Sequence, residues 1–157
     1  MPVLFVVRLV SAATVLPLRT QVLRPDWPAG RLLRLDADDA PATVHVAAER
    51  DRSVVGVATV YLEAPADDQR GIAPEAAFSA GWQLRGMATA PAAQGQGVGA
   101  AVLGACVAAV RAGGGEVLWC HARLVAVPFY ERAGLAAVGD AFEIAGIGPH
   151  VVMWRTA

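Results

Sequence analysis

The chain has 157 residues, enough for a single domain (1–157) that buries well over half of the surface its unfolded form exposes, so no disulfide or metal staple is needed. Its formal net charge of -1 supplies no broad cationic surface, which makes nucleic acid and anionic membranes poor partners. The hydrophobic fraction of 55% is mostly alanine and valine spread along the chain rather than a run of about twenty apolar residues, so no transmembrane helix is expected.

Pro2 to Arg8 reads as a first strand; the N-terminal stretch lacks a basic leader and a small-residue cleavage site, and a cytoplasmic protein is expected. Ser11 is a good N-cap for a helix reaching Val22 or Leu23, with a kink or interruption at Pro17. Pro25 to Gly30 and Asp36 to Pro41 are loop segments. Ala42 to Ala48 and Ser53 to Leu62 form a hairpin across Glu49-Arg50-Asp51-Arg52. Ala64 to Phe78 is long enough for a substrate-facing loop, and a strand from about Ala80 to Ala88 follows.

Val98 to Ala112 is helix-compatible, with Val98, Val102, Ala105 and Ala109 on one stripe, and Gly113-Gly114-Gly115 ends it. Its small side chains suit close packing on a sheet. Glu116 to His121 is a buried strand, Leu124 to Ala133 a short helix stopped by Gly134, and the remainder two closing strands, the last Val151 to Trp154. This order predicts an α/β class with a mixed sheet and helices on its faces. Cys106 and Cys120 are read as buried small hydrophobes, and three histidines far apart without Cys/His spacing predict no metal site.

Between strand and helix lies Gln94-Gly95-Gln96-Gly97-Val98-Gly99. The first amides of a helix lack intrahelical acceptors, its dipole favours anions, and glycines let phosphate approach the backbone. No Lys or Arg lies between Ala88 and Val110, so backbone donors carry such a site, with the Gln94 and Gln96 side chains as additions. Gly95 to Ala100 also satisfies G-x-G-x-x-A, the dinucleotide fingerprint. An NADP-type reading then needs an acid at the end of the next strand, where the chain has His121 and Arg123.

Leu84 to Gly99 resembles the fourth strand and Q/R-x-x-G-x-G/A loop of the GNAT superfamily of N-acetyltransferases, and Ala126-Val127-Pro128-Phe129-Tyr130-Glu131-Arg132-Ala133-Gly134-Leu135 resembles its A-x-x-F-Y-E-x-x-G-F segment. The resemblance covers roughly residues 80 to 138. It implies a splayed, mainly antiparallel sheet flanked by helices and acetyl-CoA as donor, with the pantetheine arm along Met87, Ala88 and Thr89. It also implies pyrophosphate on Gln94, Gly95, Gln96, Gly97, Val98, Gly99 and Ala100. Arg123 stands where many relatives have an asparagine touching the cofactor, and Leu135 replaces a phenylalanine.

By the same resemblance Tyr130 is the general acid at the departing thiolate and a cofactor contact, and a homodimer through the last strands is common. An N–H near Met87 to Thr89 can polarise the thioester carbonyl. An alkyl-ammonium acceptor, with a pKa of about 10, must lose a proton first; Glu143 and His150, on the closing segments, are the candidate bases. The expected reaction is direct transfer to a small-molecule or peptide amine. Cys120, inside an apolar strand, is a poor nucleophile. The alternative is a degenerate CoA-binding module. His121 reads as a strand-end imidazole or a site residue, and His45 as pairing across the sheet or facing outwards. Arg19, Arg24 and Arg85 either recognise an acidic acceptor or pair with the acids of Asp36 to Asp39.

Overall fold

The computed structural model describes residues 4–66 and 81–157. The expected loop at Ala64 to Phe78 lies mostly outside them, as do the first residues of the strands expected from Pro2 and Ala80. The elements are β1 (Val6–Val10), α1 (Ala12–Leu23), β2 (Val44–Arg50), β3 (Ser53–Leu62), β4 (Gly81–Thr89), α2 (Val98–Ala112), β5 (Val117–Arg123), α3 (Val127–Arg132), β6 (Ala136–Ile144) and β7 (Gly148–Thr156). Short 3₁₀ turns at Pro91–Ala93 and Leu124–Ala126 precede α2 and α3. The seven strands are hydrogen-bonded in the order β1-β2-β3-β4-β5-β7-β6. β4 and β5 are parallel, whereas the other described ladders are antiparallel.

The chain forms two compact units, one of Met1–Tyr61 with Leu84–Ala109, the other of Leu62–Gln83 with Val110–Ala157. In the first, strand alternation sorts the packing. Ala47 and its register partner Val57 join Val15 and Leu18 of α1 and Ala88 of β4 in one apolar cluster. On the other face Ala48 pairs with Gly56, and there α2 comes close. A Cβ on Gly56 would lie 2.6 Å from Val98 Cγ1 and 3.3 Å from Val102 Cγ2. Gly56→Ala is therefore expected to cost about 1–3 kcal/mol, because a β-branched neighbour cannot swing aside. Chemical denaturation measures this, and a neutral result would show that the helix can shift outwards.

The helix at residues 98–112 matches the sequence expectation, but its buried face is displaced. Val98, Val102, Cys106 and Val110 are buried, with Leu103 and Val107 beside them, whereas Ala105 and Ala109 are only partly so. Alanines mark a helix without choosing its face. α1 runs through Pro17 without the interruption expected there; Ser11 holds the N-cap position in an extended conformation, but its hydroxyl meets that of Thr14 (3.2 Å) rather than a helix amide. The β2–β3 hairpin closes on Asp51 and Arg52 alone, both left-handed (φ 52° and 65°), the pattern of a two-residue type I′ turn. Glu49 and Arg50 belong to β2.

In the second unit β4 meets β5 through Gly81↔Val117, Trp82↔Leu118 and Gln83↔Trp119. Gly115 allows the approach, since a Cβ there would lie 2.5 Å from the Trp82 ring. β7 inserts between β5 and β6 along seven paired positions, from Val117↔Thr156 to Arg123↔His150. β5 and β7 are both longer than expected. The predicted helix at Leu124 to Ala133 divides into its 3₁₀ turn and α3, which ends before Gly134 at φ 89°.

Candidate active site

The glycine turn follows β4 directly. The Ala90 amide donates to Val55 O (2.8 Å), tying the end of β4 to β3, and the Ala93 amide closes the 3₁₀ turn on Ala90 O (2.8 Å). Gly95 and Gly97 are left-handed (φ 74° and 82°), and a Cβ at either would meet nothing within 4 Å. Only the backbone conformation requires glycine there, and the surface above the turn is open. The Ala101 amide closes the first helical turn on Gly97 O (3.1 Å), while the amides upstream of it have no intrahelical acceptor. Gln94, Gly95, Gln96, Gly97 and Ala100 are exposed, Gly99 is half-buried, and Val98 turns into the core.

The two glutamines are less available than the sequence suggests. Gln96 Nε2 donates to Ala92 O (3.2 Å) and Gln94 Nε2 to Thr89 O (3.5 Å). A cation that sequence reasoning missed stands beside them, because Arg50 Nη1 donates to Gln96 Oε1 (2.5 Å). It comes from the end of β2, 46 residues away, and only the topology of the hairpin carries it there. Met87 and Thr89 are half-buried and Ala88 is buried at the end of β4.

Upstream of them, Gly86 is left-handed (φ 63°), a local break in β4. Arg19 lies beneath it, fully buried, with Nε 2.5 Å from where a Cβ would stand. Its Nη1 donates to Leu33 O (3.1 Å) and Asp38 Oδ2 (2.8 Å), and its Nη2 to Asp38 Oδ1 (3.1 Å) and Thr59 Oγ1 (2.7 Å). The Thr59 hydroxyl is then free to donate to His45 Nδ1 (2.8 Å), while His45 Nε2 donates to the Asp38 carbonyl (2.9 Å). Burial pushes the Asp38 carboxyl up, but the Arg19 hydrogen bonds, the Leu35 amide and the Arg19 charge outweigh it and hold Asp38 below the ordinary 3.8.

So Arg19 pairs with an acid of the Asp36 to Asp39 segment, and His45 pairs across the sheet. Arg24 instead donates to Leu23 O (2.7 Å), and Arg85 to the Tyr61 hydroxyl (3.5 Å). The three arginines do not gather into one site.

In the second unit, Tyr130 is half-buried on α3 with its ring edge-on to Phe129 (centroids 5.1 Å apart). Its carbonyl accepts the Ala133 and Leu135 amides (3.1 and 3.0 Å), so the motif's backbone is fixed at its C-terminal end. Arg123 is exposed at the end of β5, in register with His150.

The two candidate bases part company. His150 pairs with Phe142 across β6–β7 and stacks on it (6.2 Å, 28°), while Phe142 meets the edge of His121 (5.1 Å), which in turn meets Trp119 (5.3 Å). Glu143, one residue on, is exposed and by strand alternation points to the opposite face. One site cannot use both. His150 is buried, and its Nδ1 donates to Gly148 O (2.8 Å); because a carbonyl only accepts, the neutral ring keeps its lone pair on Nε2. His121 is thus one member of an aromatic row that starts on β5 and crosses to β6 and β7.

Cys106 and Cys120 are buried free thiols, both pushed up to about 12 by burial, the opposite of the lowered value a thiolate nucleophile needs. Among the described residues no helix is long and apolar enough to cross a membrane, and no cluster of three or more His, Cys, Asp or Glu is placed to hold a metal ion.

The mixed sheet, whose fourth strand enters a glycine turn and a helix, has the fold of the GNAT acyltransferase structures on which it superposes. The acetyltransferase (GNAT) family model matches residues 13–135. The uncharacterised N-acetyltransferase YitI of Bacillus subtilis is 25% identical over 150 residues, 96% of this chain and 95% of that one. Escherichia coli ElaA superposes with a TM-score of 0.71 at 16% identity, covering 97% of this chain and 99% of ElaA. YncA of Salmonella typhimurium, solved with acetyl-CoA, gives 0.67 at 14% identity, covering 97% and 93%. The chain belongs to the GNAT family and is an N-acetyltransferase.

Proposed function

We propose that the protein transfers acetyl from acetyl-CoA directly to the amine of a small molecule or peptide. The observation that supports this most is the open, exposed glycine turn at the start of α2, with left-handed Gly95 and Gly97, following the β4 segment Met87-Ala88-Thr89. In this reading the amides of Gly95 to Ala100 hold the pyrophosphate, and the β4 backbone orients the pantetheine arm. Arg50, held against Gln96, adds the cation that the turn itself lacks.

Bound acetyl-CoA supplies an activated thioester. Tyr130 donates a proton to the departing sulfur, a backbone N–H of Met87 to Thr89 polarises the carbonyl, and His150 Nε2 rather than exposed Glu143 accepts the proton of the amine. Arg123 is a further cofactor contact at the end of β5.

Release of free CoA from acetyl-CoA over a panel of amines and polyamines tests the assignment. Acetyl-CoA-dependent release that needs an amine is the expected result, whereas calorimetric binding of NADP but not acetyl-CoA would overturn it. Arg50→Ala is expected to raise the acetyl-CoA Kd about 3- to 10-fold, the scale of one partly exposed charge contact. No change in Kd would remove Arg50 from the cofactor site.

A further inference from the structure

Next to the glycine turn, within the same unit, α1 and the segment after it line an open surface cleft of about 750 Å³. Trp27 stands in its wall between two arginines. The Arg31 guanidinium lies 3.8 Å over the indole ring and that of Arg24 lies 5.9 Å from it. Gln94, the first residue of the turn, lines the same cleft, and among the described lining residues there is no carboxylate. In a chain of net charge -1 this is a local concentration of positive charge.

Stacking fixes a guanidinium by its face and leaves the in-plane N–H donors at its edge for an anion. Arg24 uses one donor on Leu23 O, and the Arg31 side chain has no hydrogen bond or ion pair among the described residues. The cleft is thus an apolar wall carrying oriented, unspent cationic donors, the chemistry that selects a carboxylate or phosphate.

We propose that this cleft receives an anionic oxygen group of the acceptor, making the preferred substrate an amine that also carries a carboxylate or phosphate. The proposal rests on the transferase reading above. Matched amines with and without the acid, ornithine against putrescine and tyrosine against tyramine, provide the test. Wild type is expected to favour the acid-bearing member at least about tenfold in kcat/KM, the scale of one hydrogen bond to a charged group. Arg31→Ala should collapse that ratio towards one, and Arg31→Lys should restore part of it. Arg34→Ala, outside the lining, should leave the ratio intact.

The 3′-phosphate of CoA has the same chemistry, so KM is also compared for acetyl-CoA and its 3′-dephospho form. Arg31→Ala should not alter that second ratio. If it does, while the amine preference survives, the cleft belongs to the donor and the proposal fails. Transfer to amines without preference for the acid overturns this proposal alone. Binding of acetyl-CoA without transfer to any amine overturns the transferase reading and this proposal with it.

Discussion

Replacing Arg19 by methionine is expected to destabilise the chain by about 3–5 kcal/mol, as urea denaturation would measure, because it strands the Asp38 carboxylate in the core. Few single changes reach that size. The cause is the missing partner: Arg19 is fully buried and delivers four hydrogen bonds, two of them to Asp38. The double variant Arg19→Met/Asp38→Leu should recover much of the loss, since an apolar pair of similar volume leaves no charge unpaired. A loss below about 1 kcal/mol in the single variant, the range of an exposed pair, would refute the buried network.

The same ion pair has a pH signature. Asp38 is held below 3.8 in the folded state, so its contribution is complete above the unfolded value and is lost as pH falls through the depressed one. Stability should therefore decline below about pH 4, and Asp38→Asn should flatten that decline. Arg19 also reaches the site, because its Nε lies against left-handed Gly86, one residue before Met87. Any side chain at residue 86 meets both a strained backbone and a guanidinium that cannot move without releasing Asp38. Loss of the network should thus disturb the strand on which the pantetheine arm is proposed to lie.

Much of this architecture was legible where local chemistry is strong. Glycines at 95, 97 and 113 to 115 bracket the helix at residues 98–112, and the alternation in Ala42 to Ala48 and Ser53 to Leu62 marks the hairpin. What escaped is what only pairing decides. Nothing in Val151 to Trp154 says that the last strand enters between β5 and β6, and the pairing of His150 with Arg123 follows from that insertion, while the β6–β7 register sets Phe142 beside His150. Arg50 looked like part of a polar turn until the hairpin register carried it to Gln96. Trp27, in a segment read only as a loop, gained significance from Arg31 folding over it. The helix is not interrupted at Pro17, because a helix packed through Val15, Leu16 and Leu18 tolerates a missing donor when the proline itself is exposed.

Tyr130→Phe is expected to lower kcat about 10²-fold, the low end of general acid catalysis, while calorimetric binding of acetyl-CoA is kept. The low end applies because a thiol of pKa about 8.5 is already a tolerable leaving group. Phenylalanine preserves the ring that packs edge-on to Phe129 and the backbone contacts of residue 130 with Ala133 and Leu135. The variant thus removes one oxygen from a fixed frame. An equal fall in kcat and kcat/KM would place the hydroxyl in the transition state, whereas a rise in KM alone would make Tyr130 a binding contact for the donor. Full activity would remove the general-acid role and leave the sulfur to depart unassisted. Comparing Tyr130→Phe with His150→Gln then separates the two proton transfers. Loss of the acid should weigh most on poor leaving groups, and loss of the base on acceptors whose amines are most basic.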